Sequence, residues 1–246
     1  MTHDISRREF LRTTAFIGAA AQQPIGAIAN SPQGPAKRGT VVLFQGDSIT
    51  DSGRNRTVTE PNTAGGLGSG YPLLVTSAVL AERATRELQF YNRGISGNKV
   101  PDLEARWTAD ALALKPDVLS ILIGVNDFWH KLSSGYTGTV EDYEHQYTSL
   151  LDATRRALPE VRLIVLEPFV LRCGAVDDRW FPEFDQRRAA AERVARHAGA
   201  AFVALQQVFN DLARRSTPQY WAADGVHPTP AGHAAIAEQW RHAAKL

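Results

Sequence analysis

Short apolar runs alternate with longer helical patterns from residue 41 to the end of the chain, and this alternation restricts the fold more than any other feature. Residues 41–45, 88–92, 118–123, 161–166 and 201–205 have the length and composition of strands. The run 118–123 is apolar on both faces, as a strand in a covered parallel sheet must be. Helical patterns lie between them: 71–86, about 101–114, a segment from Thr139 to Pro159, roughly 182–197, and a last one from Thr229-Pro230 to about Ala244. Thr139 can cap its helix with Asp142 three residues on, placing Val140, Tyr143, Tyr147, Leu150, Leu151 and Thr154 on one face. Strand–helix alternation of this kind predicts an α/β domain: a five-stranded parallel sheet with right-handed crossovers and helices on both faces. Its active site is then expected at the carboxyl ends of the strands.

The first strand runs directly into Gly46-Asp47-Ser48-Ile49-Thr50-Asp51. A serine just past a strand end can stand exposed on a tight turn with its own N–H facing the cleft. Alone the motif is weak, because Asp and Ser after Gly also make ordinary turns and caps. Asp224-Gly225-Val226-His227-Pro228, immediately before the last helix, adds a carboxylate three residues ahead of a histidine. Such an Asp can reach the imidazole Nδ1–H and leave Nε2 free to take a proton from a serine. By itself, an Asp-x-x-His is more often a structural loop.

Acyl transfer also needs donors for a developing oxyanion. The second strand ends in Asn92-Arg93-Gly94-Ile95-Ser96-Gly97-Asn98, where Gly94 is expected to bring a backbone N–H to the reacting carbonyl. The third ends in Gly124-Val125-Asn126-Asp127, where the Asn126 amide can donate. The proposed fold gathers the nucleophile turn and both donor loops at one sheet edge.

These four blocks, in this order and spacing, resemble the SGNH/GDSL hydrolases, and the likeness runs from Gly46 to about Gly232. The resemblance implies a three-layer α/β/α sandwich of flavodoxin-like type. It assigns Ser48 as nucleophile and N–H donor, Gly94 as backbone donor, Asn126 as side-chain donor, and Asp224 with His227 as the rest of the triad. Asp47-Ser48-Ile49-Thr50-Asp51-Ser52-Gly53-Arg54, Leu67-Gly68-Ser69-Gly70-Tyr71, Ala105-Arg106-Trp107 and Asn126-Asp127-Phe128-Trp129 look like the bacterial acetylxylan-esterase branch. That branch implies acetyl esters of plant xylan as substrate. The rivals are a lipid-directed esterase and a non-catalytic carbohydrate-binding protein on the same fold.

The long stretch from Asp51 to Gly70, rich in Gly, Asn, Thr and Arg, is expected to shape the substrate site. Trp129 and Trp221, three residues from Asn126 and Asp224, are candidate stacking surfaces for a sugar ring. Asp224, His227 and His233 can be read as a metal set, but His233 falls inside the final helix. A triad with an oxyanion hole needs no metal or other cofactor. Gly66-Leu67-Gly68-Ser69-Gly70 lacks the position and spacing of a nucleotide loop. Cys173 stands alone, so no intrachain disulfide can form, and it reads as a packing residue.

The N-terminus is a separate object. Ser6-Arg7-Arg8-Glu9-Phe10-Leu11-Arg12 matches the twin-arginine export pattern, 13–29 supplies a mildly apolar stretch, and Ala27-Ile28-Ala29 offers a cleavage site. The stretch is too short and polar for a stable transmembrane helix. Residues 1–29 are therefore expected to be a signal peptide read by the twin-arginine machinery, 30–39 a flexible lead-in, and 40–246 one hydrolase domain in the periplasm or beyond. Without Arg7, Arg8, Arg12, Asp4 and Glu9 the remainder carries 24 basic and 24 acidic residues. That neutral balance argues against a nucleic-acid partner or a polybasic membrane anchor. The oligomeric state stays open.

Overall fold

In the computed structural model, residues 36–246 are described. The twin-arginine pattern and cleavage site assigned to residues 1–29 lie outside the described residues, as does the first part of the lead-in. Among the described residues no helix is long and apolar enough to cross a membrane.

In chain order the elements are β1 (Val41–Gly46), α1 (Ser48–Asp51), α2 (Ala64–Leu67), α3 (Tyr71–Glu82), β2 (Gln89–Asn92), α4 (Val100–Asp110), β3 (Val118–Leu122), α5 (Val125–Ser133), α6 (Val140–Ala157), β4 (Arg162–Leu166), α7 (Glu183–His197), β5 (Ala201–Val203), α8 (Leu205–Ala213), α9 (Pro218–Trp221) and α10 (Pro230–Ala244). The five strands form one sheet in the order β2-β1-β3-β4-β5, every pairing parallel. Alternate side chains feed two cores. Val42, Phe44, Phe90, Leu122 and Ile164 meet α3, α8 and α10 on one face. Leu43, Leu119, Ile121, Leu163 and Val165 meet α4, α6 and α7 on the other. This is the three-layer α/β/α sandwich that the sequence resemblance implies.

Each fully buried aromatic here stabilises the fold by about 1.5–3 kcal/mol relative to exposure. The two largest cores are tied by hydrogen bonds where a polar group would otherwise be stranded. The Trp240 indole N–H donates to Ser120 Oγ at 2.8 Å, which accounts for a serine inside the otherwise apolar β3. Across the sheet, the Trp107 indole N–H donates to Thr154 Oγ1 at 2.8 Å, fastening α4 to α6. The capping box of α6 is present: Thr139 Oγ1 accepts from the Asp142 N–H and Asp142 Oδ2 accepts from the Thr139 N–H, each at 3.0 Å.

The differences from the sequence reading lie at element ends and in helices it did not place, α1, α2, α5, α8 and α9. The helix expected over 71–86 stops at Glu82, and Ala84–Arg86 makes a separate 3-10 turn. The run expected as a strand over 201–205 turns helical at Leu205, where α8 begins. Helix α5 follows β3 almost directly and was hidden inside the donor motif. Short apolar runs do not by themselves distinguish a strand from the first turn of a buried helix.

Candidate active site

All site residues come from the carboxyl-terminal edge of the sheet and the loop before α10. β1 ends at Gly46, whose φ of +153° lies outside the range comfortable for L side chains. A Cβ there would sit 2.3 Å from the Leu122 carbonyl oxygen and 2.5 Å from Thr50 Oγ1. Glycine thus lets β1 turn at once into α1. Asp47 caps that turn through its Oδ1, accepting the Ile49 N–H at 3.0 Å, and leaves Ser48, the first helical residue, partly exposed.

The loop before α10 is pinned at its base by an antiparallel bridge between Ala222 and Pro228. It is also fastened to the segment after β4: the Leu171 N–H donates to the Gly225 carbonyl and the Ala175 N–H to the Asp224 carbonyl, both at 2.8 Å. Within the loop Asp224 Oδ1 accepts the N–H groups of Val226 and His227, at 2.9 and 2.7 Å. Asp224 Oδ2 lies 2.7 Å from His227 Nδ1, and His227 Nε2 lies 2.9 Å from Ser48 Oγ. Partial burial pushes the Asp224 carboxyl up, but the His227 imidazole and the two backbone donors outweigh it and hold it below the usual range. An ionised Asp224 keeps the Nδ1–H tautomer, so Nε2 is the atom that faces the serine.

The donor side departs from the sequence expectation at one position. The Gly94 N–H is spent on Asn92 Oδ1 at 2.9 Å. A Cβ on Gly94 would come within 2.5 Å of the Asp51 N and 2.8 Å of the Thr50 carbonyl carbon. Gly94 is therefore a close-packing glycine under α1 rather than a free donor. Its neighbours in the loop are equally committed: the Arg93 N–H to the Phe44 carbonyl, Ile95 to the Gly46 carbonyl, Asn98 to the Ile95 carbonyl, Ser96 to Asp51 Oδ2 and Lys99 to Asp102 Oδ2. Gly97 is the exception. Among the described residues no acceptor takes its N–H, nor that of Ser48. The sequence showed both glycines of Gly-Ile-Ser-Gly, but not which N–H the fold consumes.

Asn126 sits in the first turn of α5, buried, with Nδ2 donating to the Asn98 carbonyl at 3.2 Å. The amide carries two hydrogens, so one remains for a ligand. Trp129, one turn further along α5, packs with its ring centroid 5.7 Å from that of His227. Trp221 is placed differently. Its ring meets Tyr220 edge-on at 4.9 Å, its carbonyl accepts the Thr229 N–H, and its indole N–H is buried without an acceptor among the described residues. Of the two tryptophans it is Trp129 that reaches the histidine. His233 faces inward from α10, its Nδ1 accepting the Tyr71 N–H at 3.1 Å, and burial first, then His227 nearby, push it down to about 4. Among the described residues no group of three His, Cys, Asp or Glu could hold a metal.

A hydroxyl aligned on an imidazole that is itself aligned on a carboxylate can attack a carbonyl, and uncommitted N–H groups with a side-chain amide in the loops of the same sheet edge can hold the resulting oxyanion. The profile of the GDSL-like lipase/acylhydrolase family matches residues 44–235, most of the chain. The chain belongs to that family. As a GDSL hydrolase it is a carboxylic ester hydrolase, and it lies close to an acetylxylan esterase from Geobacillus stearothermophilus. The two are 37% identical over 205 residues, which cover 81% of this chain and 91% of that protein. Among solved structures of the family, a GDSL-like lipase from Parabacteroides merdae superposes with a TM-score of 0.83 at 46% identity. That match covers 84% of this chain and 96% of the other. The Geobacillus acetylxylan esterase superposes with a TM-score of 0.77 at 34% identity, covering 85% and 96%.

Proposed function

We propose that this GDSL esterase works through Ser48, His227 and Asp224 and removes acetyl groups from xylan-type carbohydrate outside the cytoplasm. The observation that carries the reading is the unbroken chain from Ser48 Oγ to His227 Nε2, at 2.9 Å, and from His227 Nδ1 to Asp224 Oδ2, at 2.7 Å. In the reaction His227 Nε2 takes the Ser48 proton as Oγ attacks the ester carbonyl. The N–H groups of Ser48 and Gly97 and the Asn126 amide stabilise the oxyanion. The sugar hydroxyl leaves with the proton from His227, and water then repeats the sequence on the acetyl-enzyme.

The acetyl-carbohydrate reading is supported by the acetylxylan esterase relative and by the aromatic wall that Trp129 forms beside His227. Catalytic mutants of that relative replace a serine and a histidine, the same two residue types that face each other here. Export is supported by the order of the Arg7-Arg8 pair, the apolar stretch and Ala27-Ile28-Ala29.

The test is acetate release from acetylated xylo-oligosaccharides, with Ser48→Ala as control and aryl acetate and aryl octanoate in parallel. Wild type alone should release acetate, and should favour the acetyl over the octanoyl ester. Cleavage of aryl acetate without any release from the oligosaccharide would send the search to other acyl substrates. A preference for octanoate would favour a lipid-directed enzyme. Export is checked by fusing residues 1–35 to a reporter and replacing Arg7-Arg8 with Lys-Lys, which should keep the reporter inside the cell.

A further inference from the structure

The N–H of Gly97 belongs to a peptide that a β-turn can present in either of two directions. The Asn98 N–H donates to the Ile95 carbonyl at 3.1 Å, closing a four-residue turn over residues 95–98. Gly97, third in that turn, has φ +83°, the value of a type II turn. Type I and type II turns differ by rotation of the central peptide, here the one between Ser96 and Gly97. Glycine at the third position tolerates both. The rotation would point the Gly97 N–H away from where it now lies, so something outside the turn must select the orientation.

The structure shows what grips the turn. Asp51 Oδ2 accepts both donors of Ser96, the N–H at 2.9 Å and the Oγ–H at 3.0 Å. Two donors of one residue converging on one oxygen hold the N–H and the hydroxyl of Ser96 on α1, and so anchor the residue about whose Cα–C bond the peptide rotates. Asp51 is the last residue of α1, the helix that begins with Ser48, and it is buried. The same Oδ2 receives Arg56 Nη2 at 2.6 Å, from the long loop that follows. The turn is held from its other side by the Arg54 Nε–H on the Gly94 carbonyl and by Arg106 on the Arg93 carbonyl and Asn98 Oδ1. These flanking contacts fix where the turn sits, whereas Asp51 acts on the residue beside the rotating peptide.

We propose that Asp51 is a positioning residue for the oxyanion donor: it locks the turn 95–98 in the form that points the Gly97 N–H into the cleft, and ties that donor to the helix carrying Ser48. The proposal rests on the esterase reading given above. It makes a residue three positions beyond the nucleophile responsible for the far wall of the site, and gives Arg56 the role of holding the Asp51 carboxylate ionised and in place.

The experiment compares wild type, Asp51→Ala, Asp51→Asn and Ser96→Ala on an aryl acetate. Inhibition by a phenylboronic acid, which forms a tetrahedral adduct on the serine, and thermal unfolding are measured alongside. An interaction made only in the transition state is lost from kcat and from the tetrahedral analogue, not from KM. Asp51→Ala should lose about 30- to 100-fold in kcat, with KM within about twofold and the boronic acid weakened by the same factor as kcat/KM. Asp51→Asn, which keeps an oxygen acceptor, should fall between, and Ser96→Ala should lose about fivefold. Ser96 is exposed and its variant removes one hydroxyl only, so it reads the turn even where Asp51→Ala unfolds. Loss of kcat with unchanged boronic acid affinity would overturn the proposal, as would variants within about threefold of wild type. A wild type inert toward the aryl acetate would overturn the esterase reading itself, and this proposal with it.

Discussion

The indole of Trp129 lies against the imidazole of His227, ring centroids 5.7 Å apart and planes tilted by 49°. On its other side Trp129 packs on the fully buried Trp180 at 5.9 Å, so a rigid aromatic base carries it to the edge of the cleft. A half-buried indole in this place does two things: it limits how the histidine can swing, and it offers an apolar face to whatever carries the ester. Trp129→Ala should therefore lower kcat by roughly threefold on an aryl acetate and raise KM for acetylated xylo-oligosaccharides by about tenfold. Steady-state kinetics on the two substrates side by side separate the effects. Equal losses on both would mean that the ring serves the histidine alone.

Of the three donors in the proposed oxyanion hole, only Asn126 donates from a side chain, which can be cut back without touching the backbone. Its Nδ2 is steadied by the Asn98 carbonyl, and that contact preorganises the hydrogen left for the substrate. Asn126→Ala should cost roughly 3 kcal/mol of transition-state stabilisation, a factor of about a hundred or more in kcat, with little change in KM. Asn126→Asp should be at least as damaging, because a carboxylate would face the oxyanion. Single-turnover acylation rates on an aryl acetate check both.

How much of this was legible in the sequence depends on how local each feature is. Asp224 and His227, three residues apart in one loop, were offered by spacing and given a role only together with the other blocks. The cap of Thr139 by Asp142 spans one helical turn, so spacing alone indicated it. The apolar run at β3 implied a covered parallel strand for the same reason. Ser48 and His227 are 179 residues apart, and the sequence brought them together only through the inferred fold. The choice between Gly94 and Gly97 was not legible. It depends on Asn92 folding back onto the Gly94 N–H and on α1 pressing against Gly94, both set by packing. The partners of Arg54, Arg56 and Arg106 were hidden likewise, since each crosses between loops that only the sheet brings together.

Ser120 is the single polar residue inside β3, and its hydroxyl is the acceptor for the buried Trp240 indole N–H. Removing the hydroxyl leaves that donor without a partner in a fully buried place. Ser120→Ala should therefore destabilise the protein by about 1–3 kcal/mol, while kcat at 25 °C stays as in wild type, because the pair lies in the core beneath α10. Chemical denaturation reads the loss. A second variant, Ser120→Ala with Trp240→Phe, removes both polar groups and should recover part of it if the unsatisfied indole, rather than lost packing, is the cause.

His233 sets a pH dependence whose sign can be worked out. Burial, with His227 nearby, pushes its folded value from 6.5 down to about 4, and its Nδ1 accepts the Tyr71 N–H in the neutral form. Between those two values the unfolded chain binds the proton and the folded protein does not. The contribution is thus fully present above about pH 6.5 and is lost as pH falls toward 4, by about 3 kcal/mol over the window. Asp47 and Asp127, pushed up by burial to about 7 and about 6, act in the opposite direction over part of the same range: the folded state holds their protons longer and gains as pH falls. The wild-type curve alone therefore does not isolate the histidine, but a difference between variants does. His233→Asn can keep an acceptor for the Tyr71 N–H without titrating. The stability difference between wild type and His233→Asn, measured by urea unfolding, should shift by about 3 kcal/mol in favour of the variant from pH 7 to pH 4. A difference that stays constant across that range would mean that His233 titrates normally, and that its burial is relieved before the protein unfolds.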